Sequence, residues 1–183
     1  IQIVTDSTCD LPEELIARHG ITIIPMYIVT PDGEMRDGVD LTRKEFYEKL
    51  PHYKPHPTTA APSPEAIRKT YTKLAKDGAS EIISIHISRK LSAMNELACQ
   101  AARETTEVPV TVFDSRQISL GTGFLVLTAV EAVKKGHSIT EIINLLEDQV
   151  KRTHVFAALD TLEFLRRSGR MNFALSFLGS LLR

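Results

Sequence analysis

Short β-rich runs alternate with capped helical patterns along almost the whole chain, and this alternation limits the possible folds more than any other feature. The strand candidates are "IQIVTDS", "ITIIPMYIVT", "EIISIHIS", "VPVTVFDS" and "THVFAALD". Between them, Asp10 with Glu13 reads as a capping box before "EELIARHG", and Gly20 is placed to end that helix. Thr42 with Glu45, and Ser138 with Glu141, repeat the signal. Ser63 followed by Pro64 is an N-cap with proline in the first turn, and Gly78 closes that helix. Met94, Leu97, Ala98 and Ala101 share one helical face, as do Ile139, Ile142, Ile143, Leu146 and Val150. Both stripes are expected to face a core. The Pro-rich stretch 51–62, "PHYKPHPTTAAP", is expected to be a loop.

Strands alternating with helices predict a three-layer α/β/α domain with a mainly parallel sheet and right-handed crossovers. That domain is expected over residues 1–160. Residues 161–183 are expected to be a hinge and the first element of a truncated second α/β domain. The apolar Phe173, Leu175, Phe177, Leu178, Leu181 and Leu182 would belong to that element and pack on the remaining domain or a neighbouring chain.

Charge and cysteine usage narrow the function classes. Lys and Arg number 22 against 23 Asp and Glu, a net charge of -1, so no general electrostatic footprint for nucleic acid is present. The local basic cluster is Arg166, Arg167, Arg170 and Arg183, the first two read as a solvated helix face. Cys9 and Cys99 form no CxxC motif, and neither a disulfide framework nor a zinc site is expected. With a strand at the first residues no signal peptide is expected, and no apolar run reaches bilayer-spanning length. The expectation is a soluble, cytoplasmic protein without stable membrane insertion.

In open α/β sheets ligands bind outside the carboxyl ends of the strands. Those ends carry Asp6, Ser7 and Thr8; Ser88 and Ser92; Asp114 and Ser115; and Asp160 and Thr161. Each alone is a common helix cap. Their convergence on one rim, with Thr58 and Thr59 in the loop, points to a seat for an anionic oxygen group. Familiar enzyme signatures are missing. There is no GxxxxGK[ST] loop and no GxSxG elbow, and "GTG" at residues 121–123 lacks the third glycine of a dinucleotide fingerprint. His52 and His56 share a proline-broken loop and form no metal pair, and His86 inside a strand reads as a packed core residue. Neither cofactor nor metal is expected, and no serine has an evident paired base.

Five segments together resemble the DegV family, which includes the fatty-acid-binding subunit of bacterial fatty acid kinase. "IVTDSTCDLPEEL" is similar to the family's opening strand and DS turn, and "TAAPSPEAI" to its TSQPSP loop. "IHISRKLSAMNELA" resembles its ISSxLSGTYxSA stretch, "VFDSRQISLGTGFLV" its DSxxxSxGxG segment, and "LDTLEFLRRSGRM" its DTLxxLxxGGRI signature. The resemblance implies that a long-chain fatty acid is the ligand, its carboxylate held by Thr59, Ser92 and Arg170. It further implies a separate kinase catalytic subunit as partner and no catalysis by this chain. It also implies a histidine contact from a C-terminal domain, expected to lie outside these 183 residues. Ala60 and Ala61 replace the loop's serine and glutamine, Ala93 the glycine of LSG, and Ser168 the first glycine of GGR. The alternative is a small-molecule enzyme for phosphoryl or acyl transfer, using the strand-end hydroxyls with Asp6 or Asp114 nearby.

Overall fold

The computed structural model describes residues 1–170, so the expectations for the apolar stretch 171–183 lie outside the described residues. A four-stranded sheet is built from β1 (Gln2–Asp6), β2 (Thr22–Ile24), β6 (Ile82–His86) and β7 (Val110–Asp114), in the order β2-β1-β6-β7. All three pairings are parallel, as the strand–helix alternation predicts. The helices are α1 (Glu13–His19), α2 (Arg43–Lys49), α3 (Pro64–Lys76), α4 (Met94–Glu104), α5 (Leu120–Lys134), α6 (Ile139–Arg152) and α7 (Glu163–Arg167).

Period-two alternation divides each strand between two apolar layers. Ile3, Ile83, Ile85 and Phe113 meet Leu125, Val126 and Ala129 of α5 and Ile142 and Leu146 of α6. Val4 and Ile82 face the other way, onto Ile67 and Tyr71 of α3 and Met94, Ala98 and Ala101 of α4. Both expected helical stripes therefore face cores. Thr42 and Ser138 complete reciprocal capping boxes with Glu45 and Glu141, and Ser63 accepts from the Ala66 N–H.

Four local readings differ from the structure. Asp10 does not cap α1. It adopts a left-handed conformation that ends a 3₁₀ turn at Ser7–Cys9, and its carboxylate pairs with Arg43 at 2.7 Å; α1 begins at Pro12 without a side-chain cap. The run "ITIIPMYIVT" is two strands in two sheets. It breaks at Pro25 and Met26, where Pro has no N–H to donate and the Met26 N–H turns to Ser7 Oγ at 3.1 Å. The second piece is β3 (Tyr27–Thr30), central in an antiparallel sheet with β4 (Gly33–Arg36) and β5 (Thr58–Ala60). The 51–62 stretch is therefore a loop only in part, since β5 pairs Thr59 with Ile28.

The fourth difference is at "THVFAALD", which forms no strand. Residues 154–160 are exposed and irregular, and β7 pairs only with β6. An apolar period without a neighbouring edge in register has no ladder to join.

Chain direction fixes one rim. Parallel strands end there, α3, α4 and α5 begin there, and α6 returns there. The excursion carrying β3, β4 and β5 leaves from β2 and re-enters at α3, so it also belongs to the carboxyl rim. Residues 153–170 follow from the end of α6, where Gln117 Nε2 donates to the Thr153 carbonyl at 3.1 Å.

Candidate functional site

The connections leave β1 in opposite directions: α1 leads to β2 on one side, and the chain later returns to β6 on the other. The crevice at such a switch point is where open α/β sheets bind ligands. Asp6, Ser7 and Thr8 follow β1 at this point, and Ile87 and Ser88 follow β6.

Much of the polar capacity here is consumed within the protein. Asp6, Ser84, His86 and Tyr71 are each 0% exposed and form one hydrogen-bonded chain. Tyr71 Oη donates to Ser84 Oγ at 2.9 Å, Ser84 Oγ lies 2.7 Å from His86 Nε2, and His86 Nδ1 lies 3.0 Å from Asp6 Oδ2. One proton arrangement serves every partner: Ser84 donates to Nε2 while Nδ1–H donates to the carboxylate. Asp6 also accepts from the Ile87 N–H at 3.0 Å, the Thr8 N–H at 3.1 Å and the Thr8 hydroxyl at 2.5 Å. Burial pushes the Asp6 carboxyl up, but donation from His86, Thr8 and Ile87 outweighs it, and the group sits below its ordinary value. Burial also pushes the Tyr71 phenol up.

This chain corrects the expectation that no serine has a paired base. Ser84, His86 and Asp6 have the connectivity of a nucleophile, base and orienting carboxylate. All three are sealed from solvent, however, and a reacting group must be reached by its substrate. The arrangement instead ties the end of β1 to β6 and α3. Ser84 was missed because its partner lies in another element. The available signal was its i−2 spacing from His86, which puts both on one face of β6.

The remaining rim residues are also engaged. Ser7 Oγ receives the Met26 N–H, and the Ser7 carbonyl receives Arg43 Nη2 at 2.8 Å. Ser88 Oγ accepts from the Lys90 N–H at 3.3 Å. Asp114 accepts from the Arg116 N–H at 2.9 Å and faces Arg89 Nε at 3.4 Å. Ser115 Oγ is 3.1 Å from Thr122 Oγ1. Three strand ends thus converge. The fourth expected end, at Asp160 and Thr161, follows no strand; Thr161 Oγ1 instead accepts from the Glu163 N–H at the start of α7. Cys9 is buried beneath this rim, and burial pushes its thiol up.

Thr59, Ser92 and Arg170 ride on separate rim segments. Thr59 is exposed on β5. Ser92 is half-buried just before α4, its Oγ accepting from the Met94 N–H at 3.2 Å. Arg170 is half-buried and set by the end of α7. There Gly169 takes φ 77° and the Arg170 N–H returns to the Leu165 carbonyl at 3.1 Å. The Arg170 guanidinium donates to the Ser168 carbonyl, and the described residues give it no acidic partner. His56, three residues before Thr59, stacks on Phe164 with ring centroids 4.9 Å apart, which brings the α7 segment against the β5 loop. Ser168 and Ala93 both have φ near −79° and −69°, so replacing glycine at either site strains no backbone; the positive φ falls on Gly169.

Apolar side chains flank the same rim. Ile118, Leu120 and Phe124 near the start of α5 are exposed, as are Val155, Phe156 and Leu159. Val155 lies against Gly121 in the first turn of α5. Among the described residues, no cluster of three or more His, Cys, Asp or Glu side chains could hold a metal ion, and no helix is long and apolar enough to cross a membrane. Five buried polar atoms lack a partner among the described residues, including Asn95 Nδ2 on the first turn of α4. An orphaned buried donor costs about 1–3 kcal/mol, so native structures keep few of them.

Residues 1–183 match the family model described as "Uncharacterised protein, DegV family". A DegV domain-containing protein of Streptomyces coelicolor is 37% identical over 182 residues, covering 100% of this chain and 64% of that protein. Among solved structures, a fatty-acid-binding DegV family protein from Thermus thermophilus is 39% identical with a TM-score of 0.85, and 100% of this chain covers 64% of it. DegV of Bacillus subtilis, described as a fatty acid binding protein, is 32% identical with a TM-score of 0.87, the match covering 97% of this chain and 63% of that one. The chain therefore spans under two thirds of the length of these relatives.

Proposed function

The chain belongs to the DegV family, and from that premise we propose that it binds a long-chain fatty acid with the carboxylate at the β1/β6 crevice. What supports this reading is that Thr59 on β5, Ser92 before α4 and Arg170 after α7 lie on three segments, with the His56–Phe164 stack holding the α7 segment against the β5 loop. An arginine and two hydroxyls suit both oxygens of a carboxylate, through charge-assisted bonds. The apolar side chains of α5 and residues 155–159 suit the acyl chain. About fourteen buried methylenes at roughly 0.8 kcal/mol each would contribute about 11 kcal/mol before entropy costs. Affinity then comes mainly from the tail and selectivity from the head group.

In this reading the chain performs no covalent step. It holds the acid so that a separate, ATP-dependent kinase subunit can phosphorylate the carboxylate. The fatty-acid-binding relatives from Thermus thermophilus and Bacillus subtilis support the lipid part of this reading, and the kinase is our inference from the family resemblance. Native mass spectrometry of the full-length natural protein should find a co-purifying acyl chain, and titration with oleate should saturate. Absence of both sinks the proposal. Arg170→Ala removes a charged donor and should weaken oleate binding roughly 10- to 100-fold, the equivalent of about 1.5–3 kcal/mol. Unchanged affinity would refute the head-group assignment.

A further inference from the structure

Resting on the fatty-acid reading above, we infer that Ser7 and Arg43 form a clasp that positions Thr59 for the head group without touching the ligand themselves. Thr59 is carried by β5, the edge strand of the antiparallel sheet, and β5 pairs with β3 alone, Thr59 opposite Ile28. Where β3 and its partner β4 lie therefore decides where Thr59 lies. Among the described residues no ladder joins this sheet to the parallel one. Both ends of the β3–β4 hairpin return instead to a single residue at the end of β1. At the start of the hairpin the Met26 N–H, two residues before Ile28, donates to Ser7 Oγ at 3.1 Å in a buried bond. At its end the Asp37 N–H closes on the Met26 carbonyl at 2.8 Å, and Asp37 bridges to the buried Leu41. Two residues farther on, Arg43 Nη2 donates to the Ser7 carbonyl at 2.8 Å while its Nη1 meets Asp10 Oδ1 at 2.7 Å.

The turn after β1 is shaped to receive that arginine. Asp10 takes a left-handed φ of 54° where the Ser7–Cys9 turn ends, and the turn offers a carbonyl and a carboxylate to one guanidinium. A rigid planar fork meets both acceptors at once. The Arg43–Asp10 pair is half-exposed, and such pairs add little to stability. Its consequence is where the hairpin sits rather than whether the domain folds. Ser7 Oγ and the Ser7 carbonyl both accept from the hairpin, which makes Ser7 part of the support for Thr59 rather than a contact to the acid.

The test is titration of the full-length natural protein with oleate, in two double-mutant cycles. Thr59→Ala should weaken oleate roughly tenfold, and Arg43→Ala by a smaller factor, roughly fivefold. Because Arg43 acts through Thr59, the Arg43→Ala, Thr59→Ala double variant should bind like Thr59→Ala alone. Ser92 sits before α4, outside the antiparallel sheet, so the losses from Arg43→Ala and Ser92→Ala should multiply. Urea midpoints check that each variant is folded, and Ser7→Ala replaces Arg43→Ala in both cycles if the latter does not fold. An Arg43→Ala protein with wild-type affinity would overturn the inference. So would losses that multiply with Thr59→Ala, or losses that fail to multiply at both positions, the mark of a general loosening. A Thr59→Ala protein with wild-type affinity would remove the residue being positioned, and the inference would fall while the fatty-acid reading stood. A wild-type protein that does not bind oleate would overturn that reading, and the inference with it.

Discussion

Asp6→Ala is expected to lower the unfolding free energy by about 3–5 kcal/mol, because it leaves several buried donors without their acceptor at about 1–3 kcal/mol each. Asp6 is 0% exposed, and its two oxygens receive the His86 ring, the Ile87 N–H and both donors of Thr8. Without the carboxylate, those donors are left in a space that water does not reach. Asp6→Asn keeps the shape but points an NH₂ group at other donors, and should cost about 1–3 kcal/mol. Urea titration reads this as a lower midpoint with an unchanged slope. A stability within about 1 kcal/mol of wild type for Asp6→Ala would mean that the network contributes nothing net.

The same carboxylate gives a pH dependence with a definite sign. Its folded value lies below the ordinary 3.8, so in acid the unfolded chain takes up the proton before the folded one does. The contribution is present in full above about pH 4 and is lost as the pH falls through the depressed folded value. Wild-type stability should therefore decline below about pH 4, and Asp6→Asn should flatten that part of the profile. Equal acid profiles for the two proteins would contradict the assignment.

Gly123→Val should be the second large loss, about 2–3 kcal/mol. A Cβ at Gly123 would lie 2.7 Å from the Cys9 carbonyl and 2.9 Å from Leu11 Cδ2. The carbonyl belongs to the 3₁₀ turn that follows β1, so α5 would have to move off the sheet. Alanine in a helix interior usually stabilises by about 1 kcal/mol over glycine. At residue 123 that gain should be overturned. Gly121→Ala is the control, since its Cβ would meet the tip of Val155 at 2.6 Å, on an exposed segment that can yield. Thermal unfolding should show a clear drop for Gly123→Val and little change for Gly121→Ala. Equal effects at both positions would mean that the close approach to Cys9 does not constrain the helix.

The candidate site was readable from sequence only where its signals were local. Ser7, Ser88, Asp114 and Ser115 could be placed at strand ends because a strand and the turn after it lie within a few residues. His86 could be assigned to the core from its strand context, but not to a partner. Asp6 lies eighty positions away in the chain, and only the β1–β6 pairing brings the two together.

The sequence by itself determined the α/β class, the capping boxes at Thr42 and Ser138, the Ser63–Pro64 start of α3 and the two core-facing stripes. These follow from steric and hydrogen-bonding preferences within about four residues, which act before distant segments meet. The tertiary structure decided that "ITIIPMYIVT" serves two sheets, that Thr58–Ala60 is a strand, and that "THVFAALD" is not one. A strand is completed by hydrogen bonds to a neighbour that can be anywhere in the chain, so its own residues do not specify whether the neighbour is there.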